Sequence, residues 1–183
     1  MKKIIILSAA VLGFNLAANA QMATSSANQN VALSLSNAIA ITFVSSGTAT
    51  GTAVTIPFTT VSNYTSGVTS SAQQLVVQSN RGFNVTINAN AANFTYSGPT
   101  TPAPVMPVSG VLAAEVTANG TGGTIASGFS SAYGNITSTA QSLISGATNG
   151  GNQTFSVQYQ ATPGFAYTAG TYTTNVVYTV TQQ

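Results

Sequence analysis

The chain has 183 residues, no cysteine, no histidine, and three basic and one acidic side chain in all: Lys2, Lys3, Arg81 and Glu115. No Ser-His-Asp triad, Cys-His pair or carboxylate pair can be assembled from that set, so catalysis is not expected. Zinc and copper sites lack their usual ligands, and beyond the first three residues calcium is left a single Glu and nucleic acid a lone Arg.

Met1-Lys2-Lys3 is a short positive start, Ile4 to Leu16 is an apolar run, and Ala18-Asn19-Ala20 supplies small residues at alternate positions. That is the pattern of a bacterial-type secretory signal, with cleavage expected after Ala20. The apolar run is shorter than the roughly 20 residues that a spanning helix needs, and no later run is longer, so no membrane span is expected. The expected product is Gln21–Gln183, exported to the cell surface or medium, with the periplasm as the nearer alternative. Both lysines leave with the signal, and one Arg and one Glu remain. Solubility then rests on Ser, Thr, Asn and Gln, and no long-range repulsion opposes contact between copies.

Gln21 to Asn30 is polar and small, a flexible lead. Val31, Leu33, Leu35, Ile39, Ile41 and Phe43 all fall on odd positions, with Asn37 in the same parity. Apolar residues at every second position predict one long strand, or two broken near Ser36-Asn37. These six residues are the candidate strand-exchange site, a segment able to complete a neighbour's sheet. Ser45 to Gly51 reads as a loop, and Val54, Ile56 and Phe58 as a short strand. Pro57 confines that strand to an edge or a bulge. Ser62 to Ser71 reads as a polar loop.

Leu75 and Val77, Ser79-Asn80-Arg81-Gly82, then Phe83, Val85 and Ile87 predict a hairpin, with Asn80 and Gly82 free to take positive φ. Phe94 and Tyr96 mark a brief strand. Pro99, Pro102, Pro104 and Pro107 hold the next segment extended, as a crossover between sheets. Val111 to Val116 is an apolar strand carrying Glu115. A glycine-dense stretch follows, in which Ser138 to Ser145 is either a helical turn or a short strand. Phe155, Val157 and Tyr159 alternate with Ser156, Gln158 and Gln160. After Pro163-Gly164 and Ala169-Gly170, Tyr172, Val176, Tyr178 and Val180 sit at even positions. These two runs read as the last antiparallel pair of a sheet.

About eight short alternating runs between turn signals predict an all-β fold, an antiparallel immunoglobulin-like β-sandwich forming a single domain over Gln21–Gln183. Tyr64, Tyr133 and Tyr167, with neighbouring Asn and Gln, are candidates for holding a sugar. Arg81 and Glu115 are a candidate ion pair.

At Ala169-Gly170-Thr171-Tyr172-Thr173, and on through Val176-Val177-Tyr178-Thr179-Val180, the ending resembles bacterial secreted β-sandwich surface proteins. These are the spore-coat-U-like and fimbrial subunits and the WxL-type surface domains, in which a Gly-x-Tyr turn leads into the final strand. Leu75–Asn88 is similar to their middle hairpin. The chain has neither a cysteine pair nor a Trp-x-Leu motif. The resemblance implies a non-catalytic exported structural or cell-surface protein, a fimbria-like or matrix subunit assembling by β-strand pairing. The expected partners are further copies or other surface proteins, with no cofactor. The alternative is a secreted carbohydrate-binding or adhesin module, with a glycan as partner.

Overall fold

A computed structural model describes residues 24–183, so the export signal expected at residues 1–20 and the start of the lead lie outside the described residues. Residues 24–35 form part of one unit and Ser36–Gln183 make up the other. Residues 24–35 carry no helix or strand, and all of them are exposed.

In chain order the elements are β1 (Ile39–Phe43), α1 (Val61–Ser66), β2 (Val68–Thr69), β3 (Gln73–Ser79), β4 (Phe83–Ala89), β5 (Thr95–Ser97), β6 (Leu112–Asn119), β7 (Thr124–Ile125), β8 (Gly134–Asn135), β9 (Gln141–Ala147), β10 (Gly150–Ala161), β11 (Thr171–Thr173) and β12 (Val176–Gln182). A single 3-10 turn spans Ser127–Phe129. The first sheet runs β1-β3-β10-β6-β8 with β2 beside β10, and the second runs β12-β4-β9-β7. β5 and β11 make a separate two-stranded ribbon. Every pairing is antiparallel. The fold is the all-β antiparallel sandwich that the alternation predicts.

The alternation explains the layers. β4 buries Phe83, Val85, Ile87 and Ala89 and leaves Asn84, Thr86 and Asn88 half-exposed on the other face. β10 does the same with Phe155, Val157, Tyr159 and Ala161 against Ser156, Gln158 and Gln160. The two inner faces, with Leu75, Val77, Val116 and Leu143, make one core, and Val108, Phe129 and Ile136 join it from the connections. Each of the large side chains contributes roughly 1.5–3 kcal/mol by leaving water. Leu143 and Ile144 are adjacent yet both fully buried. Val85 pairs with Ile144 while Thr86 pairs with Ser142, so Leu143 is the extra residue of a bulge. A bulge places two successive residues against one partner, and here it turns both inward.

The structure corrects five expectations. The strand predicted from Val31 begins only at Ile39. Ile39 pairs with Ser79, the last residue of β3, so the ladder has no template for earlier residues. β3 and β4 are not a hairpin; they lie in different sheets. Neither Asn80 nor Gly82 takes a positive φ, so the tight turn that would fold β4 back on β3 is not formed. β10 and β12 likewise belong to opposite sheets and meet across the core.

Val54–Phe58 forms no strand, although Ile56 still packs against the core. Pro57 removes the amide donor that a ladder would use there. Lastly, the supposed loop at Ser62–Ser71 contains most of α1 together with β2. Thr60 Oγ1 accepts from the Asn63 amide at 3.3 Å, and Asn63 Oδ1 accepts from the Thr60 amide at 3.0 Å. This reciprocal capping box nucleates α1. The alternative left open at Ser138–Ser145 resolves as a strand, β9.

Candidate functional site: the open edge of the sandwich

β1 and β12 are the terminal strands of the two sheets, and each has a ladder partner on one side only among the described residues. They lie against each other at the same side of the sandwich. An end strand presents a row of unpaired N–H and C=O groups, which is a template for another strand.

Aromatic packing joins the two edges. The Phe43 ring meets the Tyr178 ring edge-on with centroids 6.1 Å apart, and Phe155 lies 6.1 Å from Tyr178 on the core side. The Tyr178 and Tyr159 hydroxyls share a 2.7 Å hydrogen bond. Burial, reinforced by the Tyr159 phenol beside it, pushes the Tyr178 phenol well above its ordinary range. Burial also raises Tyr159, while its hydrogen bond with Tyr178 acts the other way.

The start of β1 is fixed by amides. The Asn80 backbone amide donates to Ala38 O at 3.2 Å, and Asn80 Oδ1 accepts from the Ala38 amide at 3.0 Å. Asn80 Nδ2 donates to Ser36 O at 2.8 Å. From β12, Gln182 Nε2 donates to Ala38 O at 2.8 Å and to Asn80 Oδ1 at 3.0 Å. The same corner residue that breaks the expected hairpin therefore holds β1 in place.

A cleft of about 180 Å³ opens between the edges, lined by Ile41, Phe43, Leu75, Val176, Val177 and Tyr178 among others. Its lining is mainly apolar and its walls are the two end strands. Gly51 sits against the Phe43 ring, where an added Cβ would lie 3.0 Å from the ring atoms.

The six candidate strand-exchange residues divide into two sets. Ile39, Ile41 and Phe43 are half-buried on β1 and pack against the core. Val31, Leu33 and Leu35 are 75%, 86% and 88% exposed. Three apolar side chains of one parity thus stand in water just upstream of an edge strand that uses the same parity.

The remaining candidates separate. Arg81 follows Ser79, which is opposite Gly150, while Glu115 is opposite Gln158. Eight residues of β10 place the two charges roughly 25 Å apart, and the ion pair is not formed. The Tyr133 hydroxyl donates to Gln158 Oε1 at 2.7 Å. Partial burial and then the nearby Glu115 carboxylate raise its phenol. Tyr167 meets the Tyr172 ring edge-on, and Tyr172 packs against Tyr96 at 5.0 Å. Tyr64 lies between Phe58 and Phe165. Sequence reasoning missed Phe165 as its partner because about 100 residues separate the two, and no periodicity links positions that far apart. No group of three or more metal-ligating side chains occurs among the described residues. Nor is any helix among them long and apolar enough to cross a membrane.

No protein-family model matches this chain, and a search of curated proteins returned no relative. The functional reading therefore rests on the geometry above.

Proposed function

We propose that this chain is a non-catalytic exported structural protein of the cell surface, fimbria-like or matrix-forming, whose copies join by β-strand pairing. Residues Val31, Leu33 and Leu35 of one copy add along the open edge of the next, with their side chains turned into the apolar cleft. The observation that carries this reading is their exposure, 75–88%, in a strict two-residue alternation that leads into β1. Backbone pairing gives such a joint its strength, and alternate pockets give it register. The near absence of charge supports it too, because copies meet without electrostatic repulsion.

Two measurements test the reading on purified secreted protein. Light scattering after size exclusion should show high-mass species for the intact protein, and monomer with unchanged circular dichroism once residues 24–35 are removed. A purely monomeric intact protein at high concentration would sink the proposal. Because the chain has no native cysteine, Leu33→Cys in one preparation and Val177→Cys in another should form a mixed disulfide only when the two are combined. Assemblies without that cross-link would place the joint elsewhere than β12.

A further inference from the structure

We infer that the loop end carrying Phe58, Tyr64 and Phe165 is a binding site for a neutral pyranose glycan. The site is separate from the open edge and does not depend on strand pairing. Phe58 precedes α1, Tyr64 lies on it, and Phe165 follows β10. Their rings form a row, with centroids 5.3 Å apart for Phe58 and Tyr64 and 5.5 Å for Tyr64 and Phe165. Tyr64 and Phe165 are nearly parallel, 22° between planes. Tyr64 covers one face of Phe165, yet Phe165 remains 68% exposed, the only phenylalanine so placed among the described residues. The outer face of that ring is therefore open to solvent, backed by a second ring.

The helix that carries Tyr64 is fixed at both ends. The reciprocal Thr60–Asn63 cap fixes the first turn of α1. Gly67 closes the helix at φ +76°, against the Thr162 side chain, just before the turn that carries Phe165. Tyr64, held on the capped helix behind the exposed ring, loses little freedom when a ligand lands on the stack, which favours binding.

The chemistry selects the ligand class. No charged side chain lies between Phe43 and Asn80 or after Glu115, so neither segment that builds the platform supplies a partner for an anionic or cationic ligand. An aromatic face takes the apolar C–H face of a sugar ring, and adjacent polar tips set its orientation. Those tips are at hand. The Tyr64 hydroxyl makes no hydrogen bond to the described residues, and Asn63 spends its Oδ1 on the Thr59 and Thr60 amides while its Nδ2 makes none. Val61, 74% exposed and one helical turn before Tyr64, extends the apolar surface.

The test uses the full mature protein on an array of neutral and charged oligosaccharides, with each hit measured by titration calorimetry. Retention of one or more neutral glycans is expected. Phe165→Ala should weaken the hit about tenfold, the worth of one stacked ring. Tyr64→Phe should weaken it severalfold while keeping the stack, since one hydrogen bond is removed. Phe165 is 68% exposed, so its truncation should cost no more than the Tyr64 stack, about 0.5–1.5 kcal/mol, and a melting curve showing the variant folded lets a loss of binding report on the site. Three results overturn the inference: no neutral glycan retained, retention unaffected by Phe165→Ala, or retention confined to sialylated or sulfated sugars. A change in oligomer mass or lipid-vesicle binding on Phe165→Ala without glycan retention overturns it as well, and assigns the patch to a second copy or to lipid.

Discussion

The Tyr159–Tyr178 pair, the first ring buried and the second half-buried with its hydroxyl turned inward onto Tyr159, makes the protein sensitive to alkaline pH. Both phenols are raised above the ordinary tyrosine range in the folded state, Tyr178 strongly. In the unfolded chain they ionise near pH 10. Above that pH the unfolded state binds fewer protons than the folded one, so stability is fully present below about pH 10 and declines as pH rises further. Each phenol that must ionise on unfolding contributes a slope of about 1.4 kcal/mol per pH unit, and the pair about 2.8. That is the limiting slope, reached only while both phenols stay protonated in the folded state, so 1.5 units above pH 10 cost at most about 4 kcal/mol, against a domain stability of about 5–15 kcal/mol. With no histidine or cysteine, no described side chain has an ordinary titration range between about pH 6 and pH 9, and stability should be level there. Urea midpoints followed by circular dichroism across this series, beside tyrosinate absorbance, give both slopes. Tyr178→Phe should remove the larger share of the alkaline slope, because Tyr178 is the more strongly raised of the two. It should also cost about 1–3 kcal/mol at neutral pH, because the enclosed Tyr159 hydroxyl loses its 2.7 Å partner. A level stability curve through pH 11, or an unchanged slope in the variant, would refute the argument.

Two further outcomes follow from packing. Phe155→Ala, at a ring 1% exposed in the middle of the core, should lower unfolding free energy by about 3–5 kcal/mol in a denaturant titration. Gly67→Ala should cost about 1–3 kcal/mol, since it forces a side chain into positive φ and its Cβ into Thr162. Thermal melts check that loss, and a neutral result would mean that the α1 end does not pack on the segment after β10.

The inward and outward faces of β3, β4, β10 and β12 were legible because a strand's alternation is local: Phe83, Val85, Ile87 and their polar neighbours announce it on their own. The pairing was not, because which strand lies beside which depends on residues that spend their hydrogen bonds at a distance. Asn80 looks like a turn residue, yet it is committed to Ala38 and Ser36. Thr174 and Asn175 interrupt an otherwise uniform run because Asn90 Oδ1 binds both, at 3.3 and 3.0 Å, and separates β11 from β12. The Leu143 bulge hid β9 from a two-residue period. Of the candidate site, the alternating lead and β1 were visible from the sequence. The cleft beside β1 was not, since its far wall is contributed by Val176 to Tyr178, more than 130 positions downstream of Phe43.

The amide cluster at Asn80 also sets a load path. Tension applied to the chain upstream of Ser36 reaches the folded body at Ser36 and Ala38, where Asn80 grips the backbone and Gln182 reaches in from the opposite sheet. Pulling there does not simply peel β1 off β3 one rung at a time. The force is divided between both layers at the first point of contact, as it is at a stitched seam, because Gln182 of β12 holds the start of β1 as well.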